Sequence, residues 1–453
     1  MGTKLKAVIL GCLCLIIFWL PIPLGSYRPW AMMLLSCFVG GLFLAHLGLA
    51  YFNRGHLLPP KQSLVILAPI LAVIAVLGIQ LIPGLTASEN TLNTLTTLSI
   101  DPTQTKVMLI KSITYFMFAW LIFSYVNHVD ALKKVCYSII AAGLFQALYA
   151  TYLNLNSDIT SPLFGYQHHD RATGSFTYWN FLANYLALCL SIGIGLLISQ
   201  LALSSSGSQL RAKLRGVITI LLSSKMLLRL SLIAMIIALI LTRSRMGNSA
   251  FFISLAAISL FAFFFYNRRP RYLRTLIVSF FILDLIIVGA MFGLEKVKER
   301  LVETSLSSET RDEVVSDSLP LILDNPILGS GGGSFYTAFP AYQPGPYSGF
   351  YDNAHNDYIQ FAVELGLPIT LLLGAMMLFA LYQAIHTMVK RKTPLYQGIA
   401  FGCAVAILHM LLHSTVDYSL QAGANALTFI VILCLVIITA HLPHPKRRHS
   451  QDS

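Results

Sequence analysis

The sequence predicts an all-α polytopic membrane protein with about 12 transmembrane helices and one large, partly helical loop. Composition is the first reason. Of 453 residues, 56 % are hydrophobic and only 11 % charged, with a mean hydropathy of +0.70; a soluble domain carries about 25 % charge. The second is the recurrence of apolar runs long enough to cross a hydrocarbon core about 30 Å thick. The third is the distribution of Lys and Arg, which gather on alternate connections.

Taken in order, the spans fall near 6–24, 29–51, 63–83, 106–126, 135–155, 178–201, 226–243, 247–267, 275–294, 366–386, 398–416 and 424–442. Pro21 and Pro23 end the first, and no small-residue cleavage site follows it, which reads as a retained span. The apolar stretch 216–224 either extends the seventh span or lies in the interface. With both termini cytoplasmic, most of the 31 Lys and Arg residues fall on one side: Lys4 and Lys6, Arg54 and Lys61, Lys133 and Lys134, the group 211–229, the group 268–274, Lys390 to Lys392, and Lys446 to Arg448. The net charge of +12 is therefore a topology signal. Nucleic-acid binding is a poor reading of this charge because the cations are scattered over several short loops.

The seven cysteines lie in or beside apolar runs, with no CxxC pair, and read as packing residues. No Walker-type motif is present. No strong internal repeat appears, and Asp284 is the one clear acid deep in a span, so a secondary transporter is poorly supported.

One hydrophilic segment, 295–365, is long enough to build a site, together with the outer segments 84–105 and 156–177. Within it "SSETRDEVVSDSLPLILDNP" (307–326) reads as a helix capped by Ser307 or Ser308, with Val315, Leu319 and Ile322 on one stripe and a kink at Pro320. "GSGGGSF" (329–335) is a turn-rich loop whose amides either cradle a phosphate or simply turn the chain. "DNAHNDYIQFAVELGLP" (352–368) reads as a short helix ended by Gly366 and Pro368. His355 falls at its N-terminus, where the dipole disfavours imidazolium and a neutral ring can accept a proton. The alternative is a histidine that caps the helix.

Arg171, Arg243, Arg245 and Arg311 lie at the outer surface. They serve either as phosphate ligands, through paired charge-assisted hydrogen bonds, or as interface anchors. In "HMLLHSTVDY" (409–418), His409, His413 and Asp417 recur every four residues. That spacing suits a zinc set or, more simply, a hydrogen-bonded polar face inside the bundle. "QHHD" (167–170) carries a weaker metal pattern.

Several of these elements together resemble the O-antigen ligase and polymerase superfamily of bacterial inner membranes. The matching elements are Arg311, the turn "PILGSG" (326–331), His355-Asn356 with Gly366 ten residues on, "SRMG" at Ser244 to Gly247, "RATGSFTYWNFLANYLA" (171–187) and "HSTVDYSLQAGANA" (413–426). The resemblance covers roughly 165–430, with 295–365 as a periplasmic loop inserted between spans of a single transmembrane domain, 1–453. Ile369 and the one-residue gap between Arg245 and Gly247 depart from the ligase branch and leave the branch open.

The resemblance implies an inner-membrane glycosyltransferase, with termini cytoplasmic and active site periplasmic, moving a glycan from undecaprenyl diphosphate to a sugar hydroxyl. The acceptor is either lipid A-core or a growing polysaccharide; a protein O-oligosaccharyltransferase is the third branch. It further implies His355 as base, Arg245 and Arg311 on the diphosphate with Arg171 and Arg243 as further candidates, and Asn356 and Asp357 orienting His355 or holding the acceptor. His413 and Asp417 are supporting residues. No cofactor and no metal are implied, in keeping with the absence of a D-x-D sequence.

Overall fold

The computed structural model describes residues 2–53, 58–83, 97–156, 159–165, 171–203, 224–265, 311–345 and 351–443. Among these the regular elements are helical, and the sole extended pairing is an isolated bridge between Pro83 and Thr97. The long helices are α1 (Gly2–Trp19), α2 (Pro29–Asn53), α3 (Leu64–Gln80), α4 (Pro102–Tyr125), α5 (Val129–Leu155), α6 (Trp179–Leu203), α7 (Ser224–Leu241) and α8 (Arg245–Phe265). After the long loop come α13 (Leu367–Lys390), α14 (Pro394–His413) and α15 (Gly423–His441).

Nine helices among the described residues are long and apolar enough to cross a membrane. The shorter α1 and α7 coincide with two further expected spans. The span expected at 275–294, with Asp284, lies outside the described residues. So do the stretch 216–223, the "QHHD" segment, Ser307 and Ser308.

Local chemistry sets the helix starts. Asp101 caps α4, accepting from the Gln104 N–H at 3.1 Å, and Pro102 follows where no intrahelical N–H is needed. Pro368 and Pro394 open α13 and α14 in the same way.

The helices are not equivalent. The whole apolar window of α6 is buried inside the protein, against 22 % for α2, so α6 is axial and α2 peripheral. Small residues let α6 and α14 touch backbone to backbone: a Cβ on Gly195 would collide with the Gly398 carbonyl, and one on Gly402 with that of Ser191. The seven cysteines are free thiols, and four of them are buried, as packing residues should be.

The long loop forms a second, smaller core at one end of the bundle, called the loop end below. It contains α9 (Arg311–Asp317), α10 (Leu319–Asp324), α11 (Phe335–Ala338) and α12 (Asp357–Leu365). Val314, Leu321, Phe335, Phe339 and Val363 meet there, with the two phenylalanine rings stacked at 5.0 Å.

Two expectations are corrected. The described part of the segment expected as one kinked helix, 311–326, is not one helix: it breaks at Ser318, because Pro320 has no N–H and crowds the preceding turn, so it is accommodated only in the first turn of a new helix. The break shifts the buried face to Val314, Ser318, Leu321 and Ile322 and leaves Leu319 49 % exposed. Pro368, for its part, does not end α12. Gly366 ends it at φ +81, and Pro368 begins the next span.

Candidate functional site

The site is built around the start of α12. Asn356 is its N-cap: the side-chain oxygen accepts from the N–H groups of Tyr358 (3.0 Å) and Ile359 (3.2 Å). The Asn356 amide donates to the Thr415 carbonyl at 2.9 Å. Asp357 grips the same turn after α14. Its N–H faces the carbonyls of Ser414 and Asp417, and its carboxylate accepts from the Ser414 hydroxyl (2.9 Å) and the Leu420 N–H (3.2 Å). The Tyr358 hydroxyl reaches the Leu411 carbonyl at 2.8 Å. These bonds weld α12 to the 414–420 turn.

His355 immediately precedes the cap. Its φ is +50, a left-handed value that costs a non-glycine residue about 1–3 kcal/mol and persists where the surroundings dictate it. The half-buried imidazole stands edge-on to Tyr418 (4.7 Å between centroids) and Tyr351 (5.4 Å). Since Asn356 makes the cap bonds, the capping role considered for His355 is already filled.

Arg171 joins this group through aromatic rings. Its guanidinium lies 4.5 Å from the Trp179 centroid, Trp179 packs on Tyr178, and Tyr178 stacks on Tyr418 beside His355. The Ala172 N–H donates to the Leu241 carbonyl at 3.1 Å, which sets the Arg171 segment against the α7–α8 turn. In that turn Arg243 is left-handed (φ +51), Ser244 caps α8 by accepting from the Gly247 N–H, and Arg245 is the first helical residue. Arg243 and Arg245 are both exposed. Three of the four arginines thus share one rim at the loop end. Arg311 opens α9, and its side chain lies outside the described residues.

The histidine pair has the hydrogen-bonded reading rather than the metal one. His409 Nε2 pairs with Asn184 Oδ1 at 3.0 Å, and His413 Nδ1 with the Ser419 hydroxyl at 3.3 Å. The helix α14 stops at His413, so Asp417 does not continue its face. The Asp417 carboxylate instead accepts from the Asn180 amide and the Tyr418 N–H. No three side chains able to hold a metal ion gather among the described residues.

The glycine-rich turn does not cradle a ligand phosphate with these amides. The N–H groups of Ser330 and Gly331 donate to the Val363 and Glu364 carbonyls, and that of Gly332 to Gln80 Oε1. The amides of Gly333 and Phe335 lie beside the Glu364 carboxylate and favour its charged form, without completing a hydrogen bond to Oε2. Gly331, at φ +118, lies so close to Ser99 that a Cβ would strike its hydroxyl.

Sequence reasoning missed a cleft of about 330 Å³ between the starts of α2 and α4, the glycine-rich turn and α12. Lys111, Gln360, Glu364 and Gln421 line its depth, and Arg28 and Asp352 its mouth. On the other side of Lys111 is an apolar groove of about 120 Å³ reaching Asp357 and Ser414. Burial holds Asp357 well above the usual carboxylate range, and raises Glu364 to about 7 against the opposing influence of neighbouring amides and the Lys111 ammonium. Lys111 had a visible signal: a lone lysine in the apolar run "VMLIKSITYF" (107–116). Neither His355 nor Arg171, Arg243 or Arg245 lines either cavity.

Residues 230–374 match the family model described as O-antigen ligase, Wzy_C. The match contains Arg243, Arg245, Arg311, His355, Asn356 and Asp357. Arg171, Lys111, His413 and Asp417 lie outside it. No curated protein matches the chain.

Proposed function

We propose that this chain, a member of the O-antigen ligase family by its match over residues 230–374, is a membrane glycosyltransferase that moves a glycan from undecaprenyl diphosphate to a sugar hydroxyl. His355 takes the proton of the acceptor hydroxyl as its oxygen attacks the anomeric carbon. The bond from that carbon to the diphosphate oxygen breaks, and a single displacement inverts the anomer. Charge grows on the leaving diphosphate. Arg245 and Arg311, with Arg171 and Arg243 beside them, favour that state over the ground state because a fixed guanidinium needs no reorganisation as the charge develops. Asn356 and Asp357 act through the backbone, fixing His355. His413 and Asp417 hold the turn that carries Tyr418. In this reading the reaction takes place at the periplasmic face of the inner membrane.

The observation that carries the proposal is the placement of His355. It is held in a strained conformation by a capped, doubly anchored helix start, with its ring between two tyrosines and a row of aromatic rings leading to Arg171.

His355→Gly is the informative variant, since glycine accepts φ +50 without strain and the fold is spared. Purified His355→Gly protein in proteoliposomes, given an undecaprenyl diphosphate-linked glycan, is expected to insert normally and transfer nothing. Transfer at the wild-type rate would remove His355 as the base. A strain lacking this protein separates acceptors: unligated long chains accumulate if the acceptor is lipid A-core, and single repeat units if it is a growing polysaccharide.

A further inference from the structure

Lys111 lies about 13 Å along α4 from its first residue. Its Nζ donates to the Gln421 carbonyl at 2.6 Å, and its charge is felt by both buried carboxylates of α12, Asp357 and Glu364. An ammonium this deep in a spanning helix is kept where it is compensated. The Lys111 ammonium is thus tied to a backbone carbonyl on the cleft floor rather than pointing free into the cavity. At the mouth the lining carries one charge of each sign, Arg28 and Asp352.

Two buried polar atoms on this cleft find no protein partner in hydrogen-bond geometry: the acceptor Glu364 Oε2 and the donor Gln421 Nε2. Glu364 is only 1 % exposed, and its other oxygen accepts from Gln360 Nε2 at 2.6 Å. Buried polar groups are costly unless paired. An unpaired acceptor and an unpaired donor facing one cavity call for a ligand that offers both. A diphosphate diester offers acceptors alone and demands surplus positive charge. A sugar hydroxyl donates and accepts at once. Tyr336, 54 % exposed at the mouth, adds the aromatic surface on which a pyranose face packs. The cleft volume, about 330 Å³, is at the lower end of small-ligand sites, about 300–1,000 Å³.

We propose that this cleft is a carbohydrate subsite seating a pyranose ring of the glycan substrates, with Glu364 accepting from one hydroxyl and Gln421 donating to another. The inference rests on the transfer reaction proposed above. Arg171, Arg243 and Arg245 do not line the cleft, so the sugar expected there belongs to the acceptor.

The test uses the full chain in proteoliposomes, with undecaprenyl diphosphate-linked glycan and a lipid A-core acceptor each varied in turn. Tyr336→Ala and Glu364→Gln are expected to raise the acceptor KM about tenfold, leaving the donor KM and the rate at saturation within about twofold. Tyr336→Ala is the decisive variant, because Glu364 also anchors the glycine-rich turn. A raised donor KM instead keeps the sugar site and makes the donor its occupant. Unchanged KM for both substrates in folded Tyr336→Ala overturns the subsite while leaving the reaction standing. Competition by inorganic phosphate against the acceptor, relieved in Arg28→Ala, overturns it in favour of an anion site. A wild-type protein that transfers nothing to lipid A-core or to a second lipid-linked glycan refutes the proposed function. Saturation-transfer NMR with the lipid-free core oligosaccharide then decides the cleft: a signal lost in Tyr336→Ala supports it, and no signal in the wild type overturns it.

Discussion

Asn356 is the residue whose removal should most directly loosen the site without touching a substrate. Its Oδ1 accepts two backbone N–H groups at the start of α12, and its Nδ2 ties that start to Thr415. Losing an Asn cap costs about 1 kcal/mol. Losing a side-chain bond to a backbone carbonyl costs about 1 kcal/mol more. Asn356→Ala should therefore destabilise the first turn of α12 by about 2 kcal/mol, a roughly 30-fold change in its open-to-closed ratio. Asn356→Asp keeps the cap and loses only the Thr415 bond, for about half that cost. Two measurements follow: thermal unfolding of the detergent-solubilised protein, and initial transfer rate. We expect both to rank wild type, then Asp, then Ala, with the rate falling further than the unfolding temperature because the frayed turn holds His355. An Ala variant with wild-type rate and unfolding temperature would show that neither interaction matters. An Asp variant as impaired as Ala would show that capping is not what Asn356 contributes.

Two further outcomes are expected. Arg243→Gly removes a left-handed non-glycine residue from the α7–α8 turn, so the unfolding temperature should hold or rise slightly while donor use falls; a drop of several degrees would mean that the side chain holds the turn together. Glu364 has a pKa raised from 4.5 to about 7 by burial, so its stabilising contribution is fully present below pH 4.5 and is lost as pH rises through about 7, to a limit of about 3 kcal/mol. Glu364→Gln should thus gain stability relative to wild type as pH rises from about 4.5 to about 7, and parallel pH profiles for the two proteins would contradict the buried, proton-binding carboxylate.

The spans were legible because a 20-residue apolar run has few other uses, and Asn356 and Gly366 were legible because caps are local. The arginine rim and His355 were legible only as a motif in a particular order, since nothing local distinguishes an exposed anchoring Arg243 from a ligand. What the sequence hid was long-range. Lys111 is a single cation whose partners, Glu364, Asp357 and the Gln421 carbonyl, lie more than two hundred positions away. The glycine-rich turn looked like an anion cradle because its amides do face an anion; that the anion is the chain's own Glu364 depends on how α12 docks. The buried stripe of the 311–324 segment was misplaced for a local reason, the helix break before Pro320, which a proline at that position already announces.

The contact between α6 and α14 has a consequence for how the protein is made. Helix α6 is shielded from lipid on every side, yet its polar partners come late: Asn184 meets His409, and Asn180 meets Asp417, across the glycine seam. Synthesis at about 5–20 residues per second leaves α6 waiting on the order of 10–40 s for α14 to emerge. An interior helix cannot reach its final neighbours in the order of the chain. Biogenesis must therefore hold the early spans loosely and admit the two buried C-terminal helices, α14 and α15, among them, so that arrival of these helices, rather than insertion of the first spans, is the step that closes the bundle.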